Sequence, residues 1–146
     1  MIKCMKFQWP WNTNMTRINT LPVSSLTNQH ALAEYKEITR VFGYVRKAQE
    51  RGINKFNFHK KYDVPADYTL GTGHVVFMMD KLQFCLDRYH ALQVELTNRG
   101  YKLNPVSDSD LLSGIRSEWL GNYVPTDSAL KINAERINKR LSGDKT

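Results

Sequence analysis

Residues 26–51 read LTNQHALAEYKEITRVFGYVRKAQER, a pattern typical of a long amphipathic helix. Ser24 or Ser25 can serve as the N-cap before it, and Gly52 follows as a stop signal. When the residues are spaced about 100° apart around a helix axis, one side collects the apolar side chains of Ala31, Tyr35, Ile38, Val41, Phe42 and Val45. The stretch is therefore predicted to be an amphipathic helix with one face in the core.

The opposite side of this predicted helix is polar and mostly basic. It carries Gln29, His30, Ala33, Lys36, Glu37, Arg40 and Lys47. The single acid in this arc, Glu37, has two interpretations. It can form a weak surface salt bridge with Lys36, Arg40 or Arg17, or it can act as a general acid/base where substrate phosphates dock. Spacing alone leaves both open.

The remaining chain is also helical. A second helix is predicted over 72–99, stopped by Gly100, and a last helix over 128–141. Between them, 52–68 has loop composition, and 101–124 is turn-rich with short helical pieces near Asp108–Leu112 and Glu118. The expected fold is all-α: a single compact domain of three main helices with irregular connections over 15–146. Residues 1–14 form a leader that we expect to be disordered or not translated.

Composition sets outer limits on function. The 146 residues suit one domain, and 41% hydrophobic with 24% charged residues argues against a disordered or fibrous chain. No window approaches the roughly 18 apolar residues of a membrane span. Cys4 and Cys85 are too few for a disulfide framework or a four-cysteine zinc site, which favours free thiols in a reducing cytoplasm. The net charge of +7 fits nucleic acid as a partner, or simply a basic surface.

Two further patterns carry little chemistry. The four histidines, His30, His59, His74 and His90, lack the spacing of a metal site, so no metal is expected. The Gly71-Thr72-Gly73 turn lacks the rest of a phosphate loop and is better interpreted as a helix start. Met78, Met79 and Phe84 are expected to be packing residues.

Several segments resemble the pyrimidine-dimer DNA glycosylase family: MTRIN at 15–19, NQHALAEYKEITRVFGYVRK at 28–47, LGTGHVVFMMDKLQF at 70–84 and GNYVP at 121–125 followed by Arg136. The resemblance implies an all-α repair enzyme without metal or organic cofactor. Its substrate would be double-stranded DNA containing ultraviolet photoproducts or abasic sites. It would cut the glycosidic bond of the 5′ pyrimidine of a cyclobutane dimer and then break the strand by β-elimination.

The same resemblance assigns roles to residues. Thr16 corresponds to the nucleophile, which acts through an α-amine, and Glu37 to the catalytic glutamate. The DNA-binding residues would be Arg17, Gln29, His30, Lys36, Arg40, Arg136 and Arg140. The nucleophile is chemically sensible because an α-amine has a pKa of about 7.7–8.0, against about 10.4 for lysine, so more of it is neutral at pH 7. The neighbouring charge of Arg17 favours the neutral amine further.

This mechanism requires a free amine at Thr16. In a chain that begins at Met1, the Thr16 nitrogen is an amide, so we expect translation from Met15 with removal of that methionine, or a cut before Thr16. Two alternatives stay open: a non-catalytic basic DNA-binding protein, and a lyase that acts on other lesions or abasic sites. A cytoplasmic monomer, in a bacterium or a phage-infected host, is expected.

Overall fold

A computed structural model of the chain describes residues 16–141, so the predicted leader, Cys4 and the domain boundary at residue 15 lie outside it. The described range contains no strand and forms seven α-helices and two 3-10 helices. These are the 3-10 helices Val23–Ser25 and Ser117–Trp119, with α1 Asn28–Glu37, α2 Arg40–Glu50, α3 Phe58–Lys61, α4 His74–Met78, α5 Leu82–Asn98, α6 Asp108–Leu111 and α7 Asp127–Leu141. The all-α prediction is confirmed.

The first predicted helix is divided into α1 and α2. The intervening Ile38 and Thr39 keep right-handed helical dihedrals, with φ of −61° and −63°, so the chain stays close to a helical path. The Thr39 hydroxyl donates to the carbonyl of Lys36 at 3.3 Å. Three main helices are therefore the right description, with the first of them interrupted by one turn.

The predicted N-cap of this helix is wrong. Ser24 and Ser25 lie in the 3-10 helix, where the Ser25 N–H donates to the carbonyl of Pro22 at 3.0 Å. Leu26 then adopts extended dihedrals, which delays the start of α1. Thr27 is the actual N-cap, and its side chain accepts a hydrogen bond from the His30 N–H.

The second predicted helix is also divided, into α4 and α5. The N–H groups of Gln83 and Phe84, which α5 leaves unsatisfied at its start, donate to the carbonyl of Gly121 at 3.1 and 3.4 Å. A Cβ atom on Gly121 would lie 2.4 Å from the carbonyl oxygen of Asp80, so only glycine permits this approach. The Gly121 carbonyl, at the start of the segment 121–125, thus caps the N-terminus of α5.

The core joins all the main helices. Met78 and Met79 are fully buried and Phe84 is partly buried, which confirms them as packing residues. Cys85 is a buried free thiol. Trp119 is fully buried and meets Phe58 edge-on at 5.3 Å. None of the helices in the described range combines the length and apolar character needed to cross a membrane.

Candidate active site

The candidate site is built around residues 16–21, an irregular segment that precedes the first helices. Side chains from three different helices hold its backbone. The N–H of Arg17 donates to Glu37 Oε1 at 2.9 Å, that of Ile18 to His74 Nε2 at 2.9 Å, and that of Thr20 to Asn133 Oδ1 at 2.7 Å. We call these side chains, together with Tyr68, the N-terminal clamp. Their distance along the chain means that only the complete fold positions this segment.

Ile18 is the most firmly held residue of the segment. Its N–H donates to His74, its carbonyl accepts from the Tyr68 hydroxyl at 2.8 Å, and its side chain is fully buried. His74 Nδ1 lies 2.7 Å from the carbonyl of Thr69. Because a carbonyl only accepts, Nδ1 must carry the hydrogen, and Nε2 is left as the acceptor for Ile18. His74 is therefore a neutral imidazole in a defined tautomer.

The surroundings of His74 keep it neutral. Burial lowers the pKa of His74 to about 4, although the hydrogen bond to the Thr69 carbonyl opposes this shift, and the charges of Arg136 and Arg17 lower it further. The ring is 3% exposed and meets the Tyr68 ring edge-on at 5.2 Å. At neutral pH the acceptor for the Ile18 N–H is therefore always available.

A buried polar network continues from the clamp into the core. Asn133 Nδ2 donates to Asn19 Oδ1 at 2.8 Å, and Asn19 Nδ2 donates to Glu34 Oε1 at 2.7 Å. Glu34 has a fully buried side chain and receives both Nε and Nη2 of Arg88, the latter at 3.0 Å. A buried carboxylate needs such a paired and hydrogen-bonded cation. The network ties the N-terminal segment to α1, α5 and α7.

Glu37 lies at the last position of α1, beside the start of the segment. It is partly exposed, and its carboxylate accepts the backbone N–H of Arg17, the residue that follows Thr16. Thr16 itself is 2% exposed in the full chain. The structure thus brings the carboxylate within one residue of the Thr16 nitrogen.

Arg17 and Arg140 lie close enough to Arg136 for their charges to act on it, as does the Glu37 carboxylate, and we call the three arginines the arginine cluster. Burial lowers the pKa of Arg136, the charges of Arg17 and Arg140 lower it further, and Tyr68 and Glu37 act in the opposite direction. Within the described residues, the buried Arg17 Nε has no hydrogen-bond partner. Clustered, mutually repelling cations with an unsatisfied donor suit an anionic ligand such as a phosphate.

His30 lies close to the same cluster. Burial lowers its pKa, and the charges of Arg17, Arg140 and Arg136 lower it further. The Thr27 hydroxyl oxygen accepts the His30 backbone N–H at 3.2 Å and lies 2.8 Å from His30 Nδ1. The hydroxyl hydrogen can therefore be donated to Nδ1, which leaves Nε2–H as a donor for a ligand.

The other sequence-predicted binding residues lie along the first helices. Gln29 and Lys36 are exposed on α1, and Arg40 is exposed at the first position of α2. In the part of the chain that the structure describes, the contacts of Gln29 and Lys36 do not link them to the arginine cluster. No group of three His, Cys, Asp or Glu side chains within 16–141 could hold a metal ion.

Sequence reasoning missed the buried network and every member of the clamp except Glu37. His74 had been considered only as a metal ligand, and Tyr68, Asn133 and Arg88 carried no motif. One signal was available for Glu34, because on the helical wheel it lies about 40° from His30, among the apolar residues. A charge on an apolar face indicates a buried partner.

A comparison with known protein families finds a match to a large part of this chain. A family described as pyrimidine dimer DNA glycosylase matches residues 15–108, which include Thr16, Glu37 and His74. The match covers the N-terminal segment and all of α1 to α5. This chain therefore belongs to the pyrimidine dimer DNA glycosylase family, whose members are enzymes of DNA repair.

Proposed function

We propose that this protein cleaves the N-glycosidic bond of the 5′ pyrimidine of a cyclobutane pyrimidine dimer in double-stranded DNA and then nicks the resulting abasic site. The α-amine of Thr16 is the nucleophile and Glu37 is the acid/base. The observation that carries the proposal is the 2.9 Å hydrogen bond from the Arg17 N–H to Glu37, because it holds a carboxylate beside the nitrogen that would react.

The chemistry proceeds through a covalent imine. The amine lone pair attacks C1′ and the glycosidic C–N bond breaks, so that its electron pair stays on the base. The base takes up a proton and remains joined to the 3′ pyrimidine through the cyclobutane ring. The amine loses its protons as the sugar ring opens to the imine. The imine acidifies C2′, so that loss of a C2′ proton breaks the C3′–O bond and releases the downstream strand with a 5′ phosphate. Water hydrolyses the imine and restores the amine. Glu37 moves the protons and stabilises the cationic sugar.

The active form of the protein begins at Thr16. In a chain that retains Met15, the Thr16 nitrogen belongs to the peptide bond with that residue, and an amide nitrogen cannot form an imine. Removal of Met15 after translation from that residue gives a free amine, as does a cut before Thr16. The family match begins at residue 15, which supports the first route.

The basic residues hold the DNA. The arginine cluster binds phosphates next to Glu37, while Lys36 and Arg40 extend the basic surface along α1 and α2. Gln29 and His30 contact the lesion, with His30 Nε2–H as a donor. A distorted, weakly stacked dimer costs less to open than normal duplex, so part of the selectivity comes from DNA deformability.

Borohydride trapping tests this proposal, because reduction converts the imine into a stable covalent adduct. A protein that starts at Thr16 and a full chain with intact Met1, both verified by mass, are incubated with duplexes containing one dimer or one abasic site. Adducts are expected on both duplexes with the first protein and on neither with the second. In the Thr16-start protein, Glu37→Gln should bind DNA but not cut it.

Each other outcome contradicts part of the proposal. Adducts from the full chain would remove the Thr16 amine from the mechanism. Adducts on the abasic duplex alone would indicate a lyase for other lesions, and binding without any adduct would indicate a non-catalytic DNA-binding protein. Normal cutting by Glu37→Gln would exclude Glu37 as the acid/base.

A further inference from the structure

His74 is a buried titratable side chain that the proposed chemistry does not use. It is 3% exposed, and both of its nitrogens are committed to the backbone, Nε2 to the Ile18 N–H and Nδ1 to the Thr69 carbonyl. It therefore has no free lone pair or proton to offer a substrate. What His74 controls is the position of Ile18, two residues from the nucleophile.

We propose that His74 is a positioning residue that keeps the Thr16 amine beside Glu37, an inference that rests on the proposed function. Chain ends are ordinarily poorly ordered unless they are tied down. Here the Ile18 peptide is held on both sides, by His74 at its N–H and by Tyr68 at its carbonyl, and only Arg17 separates it from Thr16. Fixing Ile18 therefore restricts where the terminal amine can lie.

The loop that carries Tyr68 and His74 is held in place by ring packing and by the backbone conformation of Gly73. Tyr68 and His74 lie at either end of residues 68–74, and their rings pack edge-on. Gly73 has a φ of 89°, and a Cβ atom there would lie 2.7 Å from Pro65 Cγ, so glycine is required to begin α4 in this place. The backbone conformation at Gly73 thus helps to place the two side chains that hydrogen-bond to Ile18.

The positioning role predicts an effect on the rate of imine formation rather than on DNA binding. A displacement of about 1 Å at a reacting group can cost about 100-fold in rate. In the Thr16-start protein, His74→Leu removes the acceptor and should slow single-turnover trapping on an abasic duplex by about 10- to 100-fold. Its dissociation constant for that duplex should change less than about threefold, because no DNA contact is lost.

Two further variants separate the acceptor from the shape of the ring. His74→Gln retains a carbonyl that can accept from Ile18 and an amide that can donate to Thr69, so it should recover most of the rate. Tyr68→Phe removes only the hydroxyl that holds the Ile18 carbonyl, and should slow trapping by about 3- to 10-fold. This nearly isosteric change keeps the test available if His74→Leu does not fold.

Leu96→Ala is the control for a general loss of stability. Leu96 is fully buried in α5 and takes no part in the clamp, so this variant should trap at the wild-type rate at a temperature where it is folded. Circular dichroism establishes folding for every variant before its rate is compared. Slow trapping by Leu96→Ala equal to that of His74→Leu would overturn the positioning role.

The remaining outcomes are equally decisive. If the wild type forms adducts and both His74→Leu and Tyr68→Phe match its rate, positioning by His74 is wrong while the proposed function stands. His74→Gln as slow as His74→Leu would exclude the acceptor role, and a matching loss of DNA affinity would assign His74 to binding. If the wild-type protein forms no adduct at all, both proposals fail.

Discussion

Acidification should destabilise the fold through His74, and the size of the effect follows from its surroundings. The pKa of this imidazole is about 4 in the folded protein, against 6.5 for an exposed histidine. Between these values the unfolded chain binds the proton and the folded protein does not. The contribution of neutral His74 to the free energy of unfolding is fully present above about pH 6.5. It decreases progressively as the pH falls and is lost once the pH passes below about 4. At about 1.4 kcal/mol per pH unit, the loss is about 2 kcal/mol at pH 5 and about 3 kcal/mol at pH 4.

The structural cause lies at the clamp. Protonation places a hydrogen on Nε2, which then faces the Ile18 N–H as donor against donor. Arg17 and Arg136 oppose the new charge and the Tyr68 ring packs against the imidazole, while the Thr69 carbonyl still accepts from Nδ1. The protonated side chain must therefore give up its bond to the N-terminal segment.

Urea denaturation of the wild type and His74→Gln at pH 7, 6 and 5 measures this effect. Glutamine does not titrate, and both proteins share all other titratable groups, so the difference between their free energies of unfolding isolates His74. The stability advantage of the wild type over His74→Gln should shrink by about 2 kcal/mol from pH 7 to pH 5. A difference that stays constant over this range would refute the link between His74 neutrality and folding.

Five further substitutions test the DNA surface and the core. Arg136→Ala should weaken binding to any duplex and lower the slope of log affinity against log salt concentration by about 1. The control Lys131→Ala, which lies about 140° around α7 from Arg136, should leave that slope unchanged. Equal slopes for the two variants in a mobility-shift titration would place α7 away from DNA. Arg88→Leu leaves Glu34 buried without its cation and should cost about 3–5 kcal/mol in urea denaturation, and a loss under about 1 kcal/mol would contradict the paired burial. Gly121→Ala should lower the melting temperature because its Cβ would lie 2.4 Å from a carbonyl oxygen. Gly43→Ala, which meets nothing within 4 Å inside α2, should stabilise by about 0.5–1 kcal/mol; shifts of the same sign would contradict this contrast.

The helices could be predicted from the sequence because their signals are local. Apolar periodicity and the glycine stops located the main helices, and α7 begins at Asp127 where residue 128 was expected. The interruptions at 38–39 and 79–81 were missed. Ile38 and Thr39 keep backbone dihedrals close to helical values. Such a small departure does not require a glycine or proline, so the sequence carries no signal for the interruption.

The clamp could not be predicted, because its partners are far apart in the chain. The Thr20–Asn133 bond spans 113 residues and the Ile18–His74 bond spans 56, so no window of sequence contains both partners. The roles assigned to Thr16 and Glu37 came from the resemblance and stay predictions. The structure shows that Thr16 and Glu37 lie close together, because Arg17, which follows Thr16, donates its N–H to Glu37.

The buried polar network is better explained by the register of the N-terminal segment than by overall stability. A buried ion pair such as Glu34–Arg88 contributes little compared with apolar side chains of similar volume. Its hydrogen bonds are directional, however, and a shift of the segment by one residue would strip Asn133 and Glu34 of their bonds to Thr20 and Asn19. Each buried polar group left unpaired costs about 1–3 kcal/mol. Two such groups therefore cost at least about 2 kcal/mol, which keeps the population of molecules with the shifted register below about 4%. The proposed mechanism requires that selectivity, because a shift of one residue would carry the Thr16 nitrogen away from Glu37.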